Sequence, residues 1–203
     1  MVAIVYQDEA LVAVDKPTGL LTVPGRGVEK QDCLYTRLLE RFPDALMVHR
    51  LDMDTSGIVL FARSLEAQRN LSMQFETREV DKVYVAMVEG VVEQDEGMVD
   101  YPMRKDMTQR LPPRHIVDCV RGKAAVTEWE VLERGSNTTR LALFPKTGRS
   151  HQLRVHMQAI GHPIVGDPIY GQVGERLMLH AHRLVFSHPD TGDSVQIRSF
   201  PPF

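Results

Sequence analysis

The stretch "HRLDMDTSG", His49 to Gly57, sets a histidine, an arginine and two aspartates directly before the apolar run "IVLFA", Ile58 to Ala62. Calcium is the first chemistry such carboxylates suggest. Asp52, Asp54, Ser56 and Gly57 fall where the first half of an EF-hand loop places two acidic ligands, a hydroxyl and the turn glycine. The loop's last ligand position overturns that reading, because it requires a bidentate glutamate and holds Arg63. A helix is also required after the loop, whereas "IVLFA" reads as a buried strand. What remains is a carboxylate, Asp52, in a run of turn formers, Asp54, Thr55, Ser56 and Gly57, that holds the backbone in one shape. A plain turn aspartate or surface ion-pair partner is the ordinary alternative.

Two more residues carry chemical potential. In "DKVYVAMV" strand alternation puts Val83, Val85 and Met87 on one face and Lys82, Tyr84 and Ala86 on the other, so Tyr84 points away from the valines. An ordinary aromatic strand residue fits the same pattern. Arg154 lies beside the apolar stripe of a predicted helix, and its head group turns inward only if a carboxylate meets it. Otherwise it snorkels at the surface. The histidines give no metal site: His151 and His156 stand about 140° apart on a helix, and His180 and His182 share a strand face without a third ligand. No phosphate-binding glycine loop, dinucleotide fingerprint or serine-hydrolase elbow occurs, so no cofactor and no metal are expected.

Positioning these residues falls to short elements. "AIVYQDEALVAVDKP" predicts two strands around a polar turn at Gln7 to Glu9, ended by Pro17. "KPTGLLTVPGRG" is a loop. A helix is predicted from Asp32, as N-cap, to Phe42, ahead of Pro43. Ser64 caps a second helix with Ala67, Leu71 and Phe75 on one stripe. "DKVYVAMVEG" alternates as a strand, and "TEWEVLERG" with "TRLALFP" reads as an antiparallel pair. "TGRSHQLRVHMQAIG" predicts a third helix with Leu153, Met157 and Ile160 on its apolar stripe and Gly161 as C-cap. The tail adds two strands around a turn at Asp190 to Asp193. Mixed order without regular βαβ alternation gives an α+β fold on a largely antiparallel sheet.

The 203 residues suit one domain, and no linker divides them. The N-terminus has no signal-peptide pattern and no apolar run is long enough to span a bilayer, so a cytoplasmic location without membrane contact is expected. Cys33 and Cys119 match no disulfide or zinc spacing. A net charge of −3 argues mildly against nucleic acid. Its distribution softens that: acids dominate from Ser64 to Asp100, and bases outnumber acids from Arg104 to His156, a segment that could face phosphates.

Together, four strings resemble one family. "HRLDMDTSGIVLFARS", "KVYVAMVEG", "TGRSHQLRVHMQAIGHPIVGDPIYG" and "LMLHAHRL" occur in the order found in the RluA family of pseudouridine synthases, and the likeness runs from about Tyr6 to Phe203. "KPTGLLTVPGRG" is similar to the family's compact branch, which lacks an S4-type RNA-binding domain. The resemblance implies a pseudouridine synthase fold, with a mixed sheet flanked by helices and a cleft across the middle. It implies isomerisation of uridine to pseudouridine without a cofactor: C1′–N1 breaks, the uracil turns, and C5 bonds to C1′. Asp52 would act at C1′, either as nucleophile or by removing a sugar proton. Arg154 would pair with Asp52 and keep it ionised, and Tyr84 would stack on the base near C5. Leu179 would pack on the base, Arg50 would fill the space the flipped base leaves, and His49 would support the motif or touch RNA. Arg149, His151 and Gln152 complete the expected RNA-binding set. The Arg104–Lys123 segment and the loop "VPGRG" are expected to meet the backbone of the RNA. The implied substrate is a stem-loop of tRNA, at the anticodon arm, or of 23S rRNA, or both, bound by a monomer. Two other classes stay open: a non-catalytic RNA-binding module on the same fold, and a glycosidase using Asp52 with Asp54. A synthase of the same family acting at another tRNA position is a third possibility.

Overall fold

The computed structural model describes residues 2–25, 27–108 and 113–203. In chain order the elements are β1 (Ala3–Gln7), β2 (Leu11–Lys16), α1 (Leu34–Leu39), β3 (Leu46–Met47), β4 (Ser56–Ala62), α2 (Leu65–Thr77), β5 (Asp81–Glu89), β6 (Glu96–Asp100), β7 (Met103–Lys105), β8 (His115–Val117), β9 (Val126–Arg134), β10 (Thr138–Pro145), α3 (Gln152–Ala159), β11 (Leu179–Ser187) and β12 (Ser194–Arg198). The fold is α+β with mostly antiparallel pairing. Two compact units divide the chain, one of residues 1–82 and 180–202, the other of residues 83–179 with Phe203. None of the described helices is long and apolar enough to cross a membrane.

In the first unit β4 is buried along its whole length, which explains its unbroken apolar run. It pairs antiparallel with β2 and β3 and parallel with β11, through His180 opposite Ser56 and Ala181 opposite Gly57. The approach at Gly57 admits no side chain: φ is +111°, and a Cβ there would stand 2.3 Å from the Ala181 carbonyl oxygen. Ser64 caps α2 by accepting the Ala67 N–H, and Ala67 and Leu71 pack with Ile58, Leu60 and Leu184. Gln74, also buried, holds β11 by exchanging both of its amide groups with the Ser187 backbone.

α1 begins one residue later than the sequence suggests. Cys33 is the N-cap, its sulfur accepting the Thr36 N–H while the Thr36 hydroxyl accepts the Cys33 N–H. Asp32 instead binds Arg37 in a fork at 2.6 Å on both oxygens. A charge-assisted pair within reach draws the aspartate away from the helix terminus.

The second unit carries an antiparallel ladder in the order β5–β10–β9–β6, with β7 and β8 as a separate pair. Its core joins Ala86 and Val88 of β5, Leu141 and Leu143 of β10, and Leu153 and Met157 of α3. α3 is shorter than the motif around it, and six successive residues from Gln152 to Met157 are buried. Ile160 is its C-cap, and Gly161 follows with φ of 86°.

Candidate active site

The turn bearing Asp52 is fixed through its backbone. Leu51 O accepts the Thr22 hydroxyl at 2.7 Å, Met53 O accepts Lys16 Nζ at 2.8 Å, and Asp54 O accepts the Thr18 hydroxyl at 2.7 Å. Asp52 O takes the Thr55 N–H at 3.2 Å. Every carbonyl from Leu51 to Asp54 therefore has a donor, three of them side chains of the "KPTGLLT" loop. Asp52 and Asp54 are half-buried, Arg50 is exposed, and the flanking Leu51 and Thr55 are buried, so the charged residues stand on an anchored base.

Lys16 closes this clamp. It is fully buried, and its ammonium also reaches Pro17 O at 2.9 Å and Leu20 O at 2.7 Å. All three of its protons are thus satisfied by carbonyls. Burial pushes its pKa down to about 8, against the opposing pull of Asp54, Asp52 and Asp15, and it stays protonated at neutral pH.

His49 anchors the other end of the motif. Its Nε2 accepts the Leu60 N–H at 3.0 Å and its ring stacks on Phe75 with centroids 4.4 Å apart. Burial, with the nearby Lys82 charge second, pushes its pKa down to about 3. It is a neutral imidazole that ties the motif to β4 and α2.

The other expected residues lie in the second unit. Tyr84 is half-buried on β5, shares a face with Ala86 and Val88, and packs on the same core as Leu179 and Leu153. Arg154 is 2% exposed and makes a two-pronged ion pair with the fully buried Asp167: Nε to Oδ2 and Nη2 to Oδ1, both at 2.7 Å. Burial alone would raise the Asp167 carboxyl; its bonds to Arg154, the Arg154 charge and the N–H groups of Ile169 and Tyr170 outweigh it and hold it below the usual range. The guanidinium lies over the Tyr170 ring, 5.1 Å from its centroid.

The "TGRSHQ" turn has its own internal bonding. The Gln152 amide, buried, accepts from the Thr147 hydroxyl and the Arg149 N–H, and donates to Val126 O and the Thr127 hydroxyl. Gln152 thus shapes the turn that presents Arg149, which is exposed and bonds Ala124 O through Nε. His151 takes a left-handed conformation at the N-cap of α3, φ 58°, and its Nδ1 meets the Tyr170 hydroxyl at 2.8 Å. Of the cations expected to meet RNA, Arg26 and Arg110 lie outside the described residues. Arg104, in the same basic segment, is paired with Asp118.

Sequence reasoning passed over Lys16, Thr18, Thr22, Asp167 and Tyr170. A signal existed for Lys16, which has the parity of the buried Val12 and Val14 in "LVAVDK". Asp167 stands before Pro168 between turn residues, the setting of an aspartate that bonds N–H groups two and three residues on. Both histidines of one β11 face bond within the fold: His180 meets hydroxyls at both nitrogens, Ser56 through Nδ1 and Ser199 through Nε2, and His182 Nδ1 meets Ser199 O.

Comparison with known proteins identifies the family. Residues 10–159 match the family model described as RNA pseudouridylate synthase. A dual-specificity RNA pseudouridine synthase RluA from Vibrio cholerae is 47% identical over 191 residues, 92% of this chain and 77% of that protein. Its counterpart from Escherichia coli K12 is 46% identical over 202 residues, 97% of this chain and 91% of that protein. Among solved structures, human RNA pseudouridylate synthase domain containing 1 superposes with a TM-score of 0.85 at 29% identity, covering 100% of this chain and 84% of that one.

Proposed function

The chain belongs to the RNA pseudouridylate synthase family, and from that membership we propose that Asp52 acts at C1′ of a target uridine, with Arg154 as its ionic partner. The anchored Asp52 turn supports this reading most. A carboxylate that must meet an electron-poor sugar carbon gains from a backbone that does not reorganise, and four successive carbonyls hold this one still.

The glycosidic C1′–N1 bond breaks with Asp52 either adding to C1′ or taking a neighbouring sugar proton. The freed uracil turns, C5 bonds to C1′, the C5 proton leaves and N1 ends protonated. No electrons are gained or lost overall. Tyr84 stacks on the base and stands near C5, where it serves the final proton step. Leu179 packs against the base. Arg50, exposed beside the anchored turn, fills the gap left in the RNA stack, since a guanidinium can stack and meet phosphate at once. Unstacking costs a few kcal/mol, least in loops, which favours a stem-loop substrate. Arg149 and His151 reach the RNA from the turn shaped by Gln152, and His49 supports the motif from within. The substrates are the anticodon arm of tRNA and a hairpin of 23S rRNA, in the cytoplasm; relatives named as dual-specificity enzymes support two RNAs.

Tritium release from RNA carrying 5-tritiated uridine tests the reading, with the parent and Asp52→Asn compared on an anticodon stem-loop and a 23S rRNA hairpin. Release by the parent and none by the variant is expected. Binding of unmodified total RNA without release would instead leave an RNA-binding module, and free uracil would mark a glycosidase.

A further inference from the structure

We propose that Asp167 is a positioning residue for the isomerisation, fixing the Arg154 guanidinium in the one orientation that serves the reacting carboxylate; this rests on the proposed partnership of Arg154 with Asp52. Both oxygens of Asp167 bind Arg154, so the guanidinium cannot turn about its own bonds without breaking a prong of the fork. The carboxylate in turn cannot follow it. Asp167 Oδ1 also accepts the N–H of Ile169 at 2.9 Å and of Tyr170 at 3.0 Å, which locks the side chain into its own loop.

A third constraint comes from below. Tyr170 supports the guanidinium face, and its hydroxyl accepts the His115 N–H while meeting His151 Nδ1, both at 2.8 Å. Because that hydroxyl oxygen accepts from a backbone N–H, its proton is available to His151. Position, edge and face of the cation are set by Asp167 and Tyr170, neither of which is among the expected RNA-binding residues.

Stability alone gives little reason for such a pair. A fully buried ion pair is often no more stabilising than apolar side chains of the same volume.

The test is single-turnover conversion of 5-tritiated stem-loop RNA, measured beside RNA affinity and circular dichroism for Asp167→Asn and Asp167→Glu. Asparagine keeps the oxygen that Ile169 and Tyr170 need but sets an NH2 against a donor of Arg154. Glutamate keeps the charge and displaces it by one methylene. For each folded variant the expected result is a single-turnover rate lower by about tenfold or more, with RNA affinity within about twofold of the parent. If the asparagine variant does not fold, the glutamate variant is read alone. A folded variant whose rate stays within about twofold of the parent overturns the proposal, as does a loss of affinity equal to the loss of rate. An inactive parent or an active Asp52→Asn would instead remove the reading on which it rests.

Discussion

Acid should loosen this protein through His49. In the unfolded chain its imidazole titrates near 6.5; in the fold it is pushed down to about 3. Between those values the unfolded chain binds a proton that the folded one refuses, so stability is fully present above 6.5 and falls as pH drops. The slope approaches about 1.4 kcal/mol per pH unit, and the loss from pH 7 to pH 5 comes to about 2 kcal/mol. His49 as a residue is half-buried, not fully enclosed, which makes that figure a ceiling. Structurally, a protonated ring would turn Nε2 into a donor facing the Leu60 N–H and set a charge beside Lys82. His156 is also held low by burial and adds to the acid sensitivity of the parent. The measurement is therefore a difference: urea unfolding of the parent and of His49→Gln across pH 5 to 7. Glutamine does not titrate, and its side-chain oxygen can still accept the Leu60 N–H. The parent should lose more than the variant over that range, by up to about 2 kcal/mol. Parallel stability curves would refute the neutral, buried histidine.

Two further outcomes follow from the same unit. Gly57→Ala should destabilise by about 3 kcal/mol or more, seen as a fall in the urea midpoint, because the new Cβ meets the Ala181 backbone at 2.3 Å and φ is +111°. A midpoint unchanged by the substitution would contradict the close approach of β4 and β11. Lys16→Met fills a similar volume but strips donors from Pro17, Leu20 and Met53, so it should cost about 3 kcal/mol and lower tritium release per folded molecule. Normal release from a folded Lys16→Met protein would show that the Asp52 turn does not depend on this clamp.

The sequence made regular elements legible wherever burial follows one simple period. β4 is buried along its whole length and reads as an unbroken apolar run; β9 and β10 alternate, and Ser64 marks the start of α2 by its chemistry. β6, β7 and β8 escaped because they are short and rich in exposed or charged residues, so periodicity had too few positions to register. Asp32 misled because N-cap preference competes with any cation in reach, and Arg37 is in reach. Asp52, Tyr84 and Arg154 were singled out for their surroundings and placed together by resemblance. What neither revealed was support: Lys16, Thr18 and Thr22 act on a turn some thirty residues away, and Asp167 acts across a loop from Arg154. Such pairings depend on tertiary contacts that no local pattern records.

The bonds that hold the Asp52 turn also set when it can form. Its three side-chain donors lie 29, 36 and 37 residues earlier in the chain, so closing it requires loops of that length to come together first. β4, which follows the turn, takes its parallel partner from β11, 124 residues downstream at the Ser56–His180 contact. Long-range parallel pairing is slow, and during synthesis it must wait for the later strand to emerge. A nascent chain stopped short of residue 180 still exposes one edge of β4, and the ribosome would carry a molecule whose Asp52 turn has no settled floor. Competence should then arrive late and abruptly, with the emergence of β11, rather than growing with chain length.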